Sequence, residues 1–458
     1  MNQGGFSIQL RNRLVLVASV MLLAACTSVP FDYPKQASYQ GKPIEKGALA
    51  TLDDIWLTDA PQNTAVYPLA DGAASFDARL DLADMAEATI DAQYFLIKPD
   101  QAGREFSGAL LRAADRGVRV RLLLDDIFTT AGDGGLARLN AHENVEVRLF
   151  NPVSRYGIGS LNYLADFTRT NRRMHNKSFT VDGLVTIIGG RNIAGEYFDR
   201  DPEVLFWDFE LLLFGGLIPE VGDSFDDFWN NSLSLPMEAF EKDVSERDLE
   251  AVRSDLNEWR ENHPNYAYVA DAGEGVLAQL LRREIEPFYA EAHVISDDPE
   301  KLINPVSKDY QLLAESRGSM VDNADSEILI FSPYFIPRQG LTEYLIGAAK
   351  RGINVGVMTN SLASNNHTAV HPSYKKYRRP LIEGGVKMFE TSASGGSRNP
   401  GLRTTLHTKA FMVDSRWLFV GSLNVDPRSI DINTEMGIIL DAPEFVVELR
   451  RRLDESVT

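Results

Sequence analysis

The 458-residue chain contains a single cysteine, Cys26, which excludes any intramolecular disulfide. It has no Gly-rich phosphate loop and no cysteine–histidine spacing of the metal-binding kind, so neither a cofactor nor a metal is expected. Basic residues are in deficit: 46 Lys and Arg face 65 Asp and Glu, a formal charge of -19. Proteins that grip long polyanions carry basic surface, because neutralising phosphates and releasing their counterions drives that binding. The balance therefore argues against a nucleic-acid partner. The longest apolar run, Leu14 to Leu23, falls short of the length a membrane-spanning helix needs.

That run is still informative. Arg11 and Arg13 precede it, and it ends in Leu23-Ala24-Ala25-Cys26. The pattern resembles a bacterial lipobox, which implies a lipoprotein signal peptide over 1–25 and lipid attachment at Cys26. Thr27 stands where an aspartate would resemble an inner-membrane retention signal. The resemblance thus implies a lipid-anchored protein of the cell envelope, on the periplasmic side and at the outer membrane. A plain secretory signal or an uncleaved anchor is the alternative.

The rest of the chain repeats itself. Ala88 to Phe95 reads as a strand, and Phe106, Ala109, Leu110, Ala113 and Ala114 mark a helix face. Arg116-Gly117 closes that helix, and Val118 to Leu124 reads as a buried strand. The second half gives the same order: Ile328 to Tyr334, a helix face from Leu341 to Ala349, Arg351-Gly352, then Ile353 to Met358. Val145–Phe150 and Val386–Phe389 also correspond. The expectation is an α/β protein of two pseudo-symmetric lobes, each a mixed β-sheet flanked by helices. A lead segment (26–75) precedes the first lobe (76–225), and a helical linker (226–320) separates it from the second (321–458). Amphipathic helices are expected there at Leu249–Trp259 and Val276–Phe288.

The chemistry sits in a spaced triple that occurs twice: His175, Lys177 and Asp182, then His407, Lys409 and Asp414. Alternation along a strand would place each histidine and its lysine on one face. Gly189-Gly190-Arg191-Asn192 and Gly421-Ser422-Leu423-Asn424 follow, with small residues that let backbone approach a ligand. The lysines, Asn192 and Asn424 could together cradle a phosphoryl group. One imidazole can attack phosphorus while the other protonates the leaving alcohol. Asp208 and Glu435 hold matching places in later strands, and each could fix the tautomer of the opposite lobe's histidine, with Glu210 competing in the first half. Asp182 and Asp414 complete the catalytic motif, although strand ends suit turn or hydrogen-bonding residues.

The twin His-x-Lys-x4-Asp motifs, each followed by Gly-x-x-Asn, resemble the phospholipase D superfamily. Within it, Arg173 to Gly183, Gly189 to Phe198, Asp297 to Lys301, Ser361 to Asn365 and Ala369 to Arg378 are similar to bacterial cardiolipin synthases of the C type. The resemblance implies one active site between the lobes, a covalent phosphohistidine on His175 with His407 as acid and base, and no metal. It implies membrane phospholipids as substrates, with His371 and Arg378 beside Ser422 and the asparagines in the binding pocket. The pseudo-symmetry leaves the two histidines interchangeable on sequence. A periplasmic nuclease of the same superfamily and a non-enzymatic lipid-binding lipoprotein are the competing readings.

Overall fold

The computed structural model describes residues 29–457 apart from 59–62, 128, 130–131, 156–161, 165, 202, 241–244, 263–273, 305, 307–315, 317–319, 367–370 and 395–402. The expected signal peptide and Cys26 lie outside these residues.

The first lobe holds β1 (Thr64–Leu69), β2 (Thr89–Tyr94), β3 (Arg119–Asp125), β4 (Val145–Phe150), β5 (Ser178–Val181), β6 (Val185–Gly189), β7 (Val204–Trp207), β8 (Glu210–Gly215) and β9 (Ser234–Pro236). The second holds β10 (Phe288–Ser296), β11 (Glu327–Phe331), β12 (Asn354–Asn360), β13 (Lys387–Thr391), β14 (Arg403–Leu406), β15 (Ala410–Val413), β16 (Trp417–Gly421) and β17 (Met436–Asp441). All but β7 and β14 join one sheet in the order β13-β12-β11-β15-β16-β17-β10-β1-β8-β6-β5-β2-β3-β4-β9. Read outward from its centre, each half runs through the same kinds of strand. β2, β3 and β4 are parallel neighbours, as are β11, β12 and β13.

Helices follow where the apolar spacing places them. Gln101–Asp115 buries Phe106, Ala109, Leu110, Ala113 and Ala114, and Asp100 caps its start by accepting from the Gly103 amide. Gly117 and Gly352 close equivalent helices at φ +95° and +98°, where a side chain would be strained.

The interval 226–320 departs from expectation. The helix Glu246–Asn262 is present, but the second helix spans only Val276–Leu281. Arg283 turns to φ 57°, and Pro287 disfavours helix at the residue before it. The chain then enters β10, which pairs with β1 through Thr64↔Ala290, Ala65↔Tyr289 and Val66↔Phe288, and with β17 on its other side. A segment read as helical linker thus supplies the strand that fuses the lobes. Both lobes contribute to one apolar layer here: Val66, Ile188, Leu211 and Leu213 pack with Ala410, Met412, Leu418 and Ile438.

Candidate active site

Neither His-x-Lys pair lies within a regular strand. Each occupies an extended link that enters β5 or β15, and each link is held by the other lobe. β7 and β14 form a separate parallel pair between the lobes, with Leu406 opposite Trp207. The His407 amide donates to the Trp207 carbonyl at 2.8 Å. In the counterpart, Met174 bridges Thr434, and the His175 amide donates to the Thr434 carbonyl at 2.9 Å.

The carboxylates cross over in the same way. Glu435 Oε2 lies 2.7 Å from His175 Nδ1, and Asp208 Oδ2 lies 2.6 Å from His407 Nδ1. Glu210 is engaged elsewhere, by Arg79 at 2.7 Å, Ser75 at 2.6 Å and Arg191 at 3.4 Å. Lys177 Nζ donates to the His175 carbonyl at 2.6 Å, and Lys409 Nζ lies 2.8 and 3.2 Å from the two ring nitrogens of His407. Both lysines and both carboxylates are buried. Each histidine also feels the lysine of the opposite lobe, so two histidines, two lysines and two carboxylates form one centre.

Burial governs the charge states. It lowers His175 to about 4 and His407 to about 3, against the pull of Glu435 and Asp208, so both imidazoles are neutral at pH 7. Burial likewise lowers Lys177 to about 7 and Lys409 to about 8. It opposes ionisation of Glu435 and Asp208 too. There the paired histidines and lysines prevail, joined by Ser422 at Glu435 and Arg191 at Asp208, and both carboxyls stay below their usual range.

Asp182 and Asp414 do not reach the histidines. Both adopt positive φ, at 54° and 55°. Asp182 accepts from the Glu87, Ala88 and Thr89 amides, and Asp414 from those of Asp325, Ser326 and Glu327. Each pins the entry to a central strand, β2 or β11. Ser422, expected near substrate, instead donates to Glu435 Oε2 at 2.5 Å and accepts from the Met436 amide at 3.0 Å. The first-lobe counterpart, Gly190, leaves its room to Asp208: a Cβ there would lie 2.5 Å from Oδ1. Asn192 Nδ2 lies 2.9 Å from the Tyr197 hydroxyl, and Oδ1 of Asn192 and of Asn424 are buried without partners.

The structure does not tie His371 or Arg378 to this centre by any described contact. His371 opens the helix His371–Glu383 with its ring 5.6 Å from Tyr374. Arg378 Nε lies 3.1 Å from Glu390, which also accepts from the Tyr374 hydroxyl at 2.8 Å.

Aromatic residues that sequence reasoning did not single out shape the centre. Phe206 stacks on His407 at 5.1 Å and 7°, Tyr197 meets its edge at 5.1 Å, and Phe95 meets His175 edge-on at 4.8 Å. Arg191 sits inside the Gly-Gly-Arg-Asn run and donates to the carbonyls of Asp208 and Tyr197 at 2.7 and 3.0 Å. Its neighbours in that motif were the available signal; Phe206 lies in β7, Phe95 just past the end of β2 and Tyr197 in the short turn Gly195–Tyr197, and none carries a motif of its own. Among the described residues, no group of three or more His, Cys, Asp and Glu could hold a metal ion. None of their helices is long and apolar enough to cross a membrane.

The family model described as "Cardiolipin synthase, PLD-like domain" matches residues 80–214 and 319–457. The chain belongs to this family. It is an enzyme of the phospholipase D-like phosphatidyltransferase type, with two such domains. Cardiolipin synthase C of Escherichia coli (strain K12) is 36% identical over 408 residues, 86% of this chain and 85% of that one. Cardiolipin synthase A of Pseudomonas syringae pv. syringae is 27% identical over 420 residues, 89% of this chain and 71% of that one. The crystal structure of phosphatidylserine synthase from Haemophilus influenzae Rd KW20 shares the fold, with a TM-score of 0.60 at 15% identity and coverage of 90% of this chain and 89% of that one.

Proposed function

We propose that this phospholipase D-like enzyme transfers the phosphatidyl group of a membrane phospholipid to an alcohol through a covalent phosphohistidine. The crossed pairing of each histidine with a carboxylate of the opposite lobe carries the reading. A neutral imidazole whose Nδ1–H donates to a carboxylate presents its Nε2 lone pair as a nucleophile or base. In the first step His175 Nε2 bonds to phosphorus, the bond to the head-group oxygen breaks, and His407 gives that oxygen a proton. In the second, an acceptor alcohol gives its proton to His407, its oxygen bonds to phosphorus, and the P–N bond breaks.

The phosphodiester anion would sit between Lys177 and Lys409, and its charge raises the proton affinity of His407, supplying the acid that the first step needs. Rotating the Asn192 amide by 180° lets the Tyr197 hydroxyl donate to Oδ1 and frees an amino group for phosphoryl oxygen. Cardiolipin results when the acceptor is a glycerol hydroxyl of phosphatidylglycerol, and phosphatidic acid when it is water. A bound acceptor outcompetes water because positioning raises its effective concentration far above solution values. Lipid attachment at Cys26 would hold the site at the envelope membrane, in reach of periplasmic-leaflet lipids.

The test is mass spectrometry of lipids after incubating the enzyme with vesicles of phosphatidylethanolamine and phosphatidylglycerol. Cardiolipin or another exchanged lipid should form alongside phosphatidic acid. Cleavage of single-stranded DNA with no lipid product would transfer the assignment to a nuclease.

A further inference from the structure

β3 and β12 are equivalent seven-residue strands, and each ends on a buried polar residue, Asp125 or Asn360. Asp125 Oδ2 accepts from the Met174 amide at 2.9 Å, and its Oδ1 faces Arg173 Nη1 at 3.2 Å and the Ile127 amide at 3.1 Å. Asn360 Oδ1 accepts from the Leu406 amide at 2.8 Å, and its Nδ2 donates back to the Leu406 carbonyl at 2.8 Å. Met174 and Leu406 are the residues immediately before His175 and His407. Each catalytic link is therefore anchored twice: its own lobe holds the residue before the histidine, and the opposite lobe holds the histidine's own amide.

We infer that Asp125 and Asn360 are a matched pair of positioning residues that set where each imidazole enters the centre. Neither has a described contact with an imidazole. The pair recurs at the same strand position and on the same backbone amide in two lobes, although the chemistry around it differs. Asp125 carries a charge met by the buried Arg173. In the second lobe the matching position is Thr405, whose hydroxyl donates to the Ser364 carbonyl at 2.7 Å, and a neutral amide serves. Recurrence of the contact without recurrence of the residue marks the geometry, not the charge, as what is held. An error of about 1 Å at the reacting atom costs on the order of 100-fold in rate, so the links must be fixed more tightly than ordinary loops.

The inference rests on the proposed chemistry of His175 and His407, and the wild-type rate tests that separately: no head-group release by wild type would defeat the chemistry itself. Using the full chain and a short-chain phosphatidylethanolamine, kcat, KM and thermal midpoint are measured together. Asp125→Leu should lower kcat about 100-fold with KM within about threefold. The exchange Asp125→Asn with Arg173→Thr reproduces the second-lobe pair and should bring kcat back to within about tenfold of wild type. A folded Asp125→Leu protein with unchanged kcat, or a folded double exchange as inactive as Asp125→Leu, would overturn the inference. Should Asp125→Leu fail to fold, Asn360→Ala decides. It removes the acceptor for Leu406 N, so kcat should fall at least about tenfold at unchanged KM, and a folded Asn360→Ala protein with unchanged kcat sinks the idea.

Discussion

A single methyl group at Gly190 should separate the position of the Asp208 carboxylate from its presence. A Cβ there would lie 2.5 Å from Asp208 Oδ1, 2.6 Å from Oδ2 and 2.8 Å from Cγ. Non-bonded heavy atoms settle at about 3.5 Å, so the carboxylate must retreat by roughly 1 Å. The 2.6 Å contact with His407 would then open to about 3.5 Å, where little hydrogen bond remains. A displacement of that size is worth about 100-fold in rate, close to 3 kcal/mol of activation free energy. The crowding itself costs about 1–3 kcal/mol of stability. The assay is head-group release from phosphatidylethanolamine vesicles, with urea unfolding in parallel. Gly190→Ala should lose about 100-fold in kcat and remain folded. In an Asp208→Ala background the same methyl has room and should cost little more, because the two changes strike one contact. Gly190→Ala activity within threefold of wild type, or losses that simply add, would refute the reasoning.

Other expectations follow from the same geometry. Burial lowers His175 from 6.5 to about 4, so between those values the unfolded chain binds the proton first and stability falls as pH falls. Urea unfolding at pH 7.5 and 4.5 should show His175→Gln relieving roughly 2 to 3 kcal/mol of the acid destabilisation, and equal acid loss in both proteins contradicts it. His175→Ala and His407→Ala should each abolish turnover, with the double variant scarcely worse, because nucleophile and acid act as one unit; half activity in either single variant means two independent sites. A fatty-acid analogue fed to cells should label the wild type and leave Cys26→Ser unlabelled, and equal labelling removes the anchor from the account.

The repeat was legible because burial imposes periodicity: strands with both faces covered read as apolar runs, and helices against them keep a 3.6-residue stripe. Asp208 and Glu435 could be paired with histidines of opposite lobes because duplication sets the two halves in register. β10 was not legible. Glu291 and His293 interrupt its apolar pattern, and it is only partly buried, since pairing with β1 and β17 holds it more than packing does. The extended links before β5 and β15 were read as strands because backbone that pairs across lobes looks locally like backbone that pairs within one. Ser422 occupies a small-residue position whose first-lobe counterpart is glycine. There the hydroxyl turns to the Glu435 carboxylate, whereas the Asp208 carboxylate fills the corresponding space beside Gly190. Asp125 and Asn360 share a position and differ in charge, so no motif reveals them.

The central claim is a phosphatidyl group carried on His175, with His407 needed to release it. A diacylglycerol phosphodiester with a p-nitrophenyl leaving group requires no acid in the first step, so His407→Gln should still open the P–O bond and then stall. Rapid mixing should give a burst of about one p-nitrophenolate per enzyme, and peptide mass spectrometry should find the phosphatidyl adduct on the peptide bearing His175. No burst from folded enzyme, or a burst with the adduct on another residue, would contradict the account.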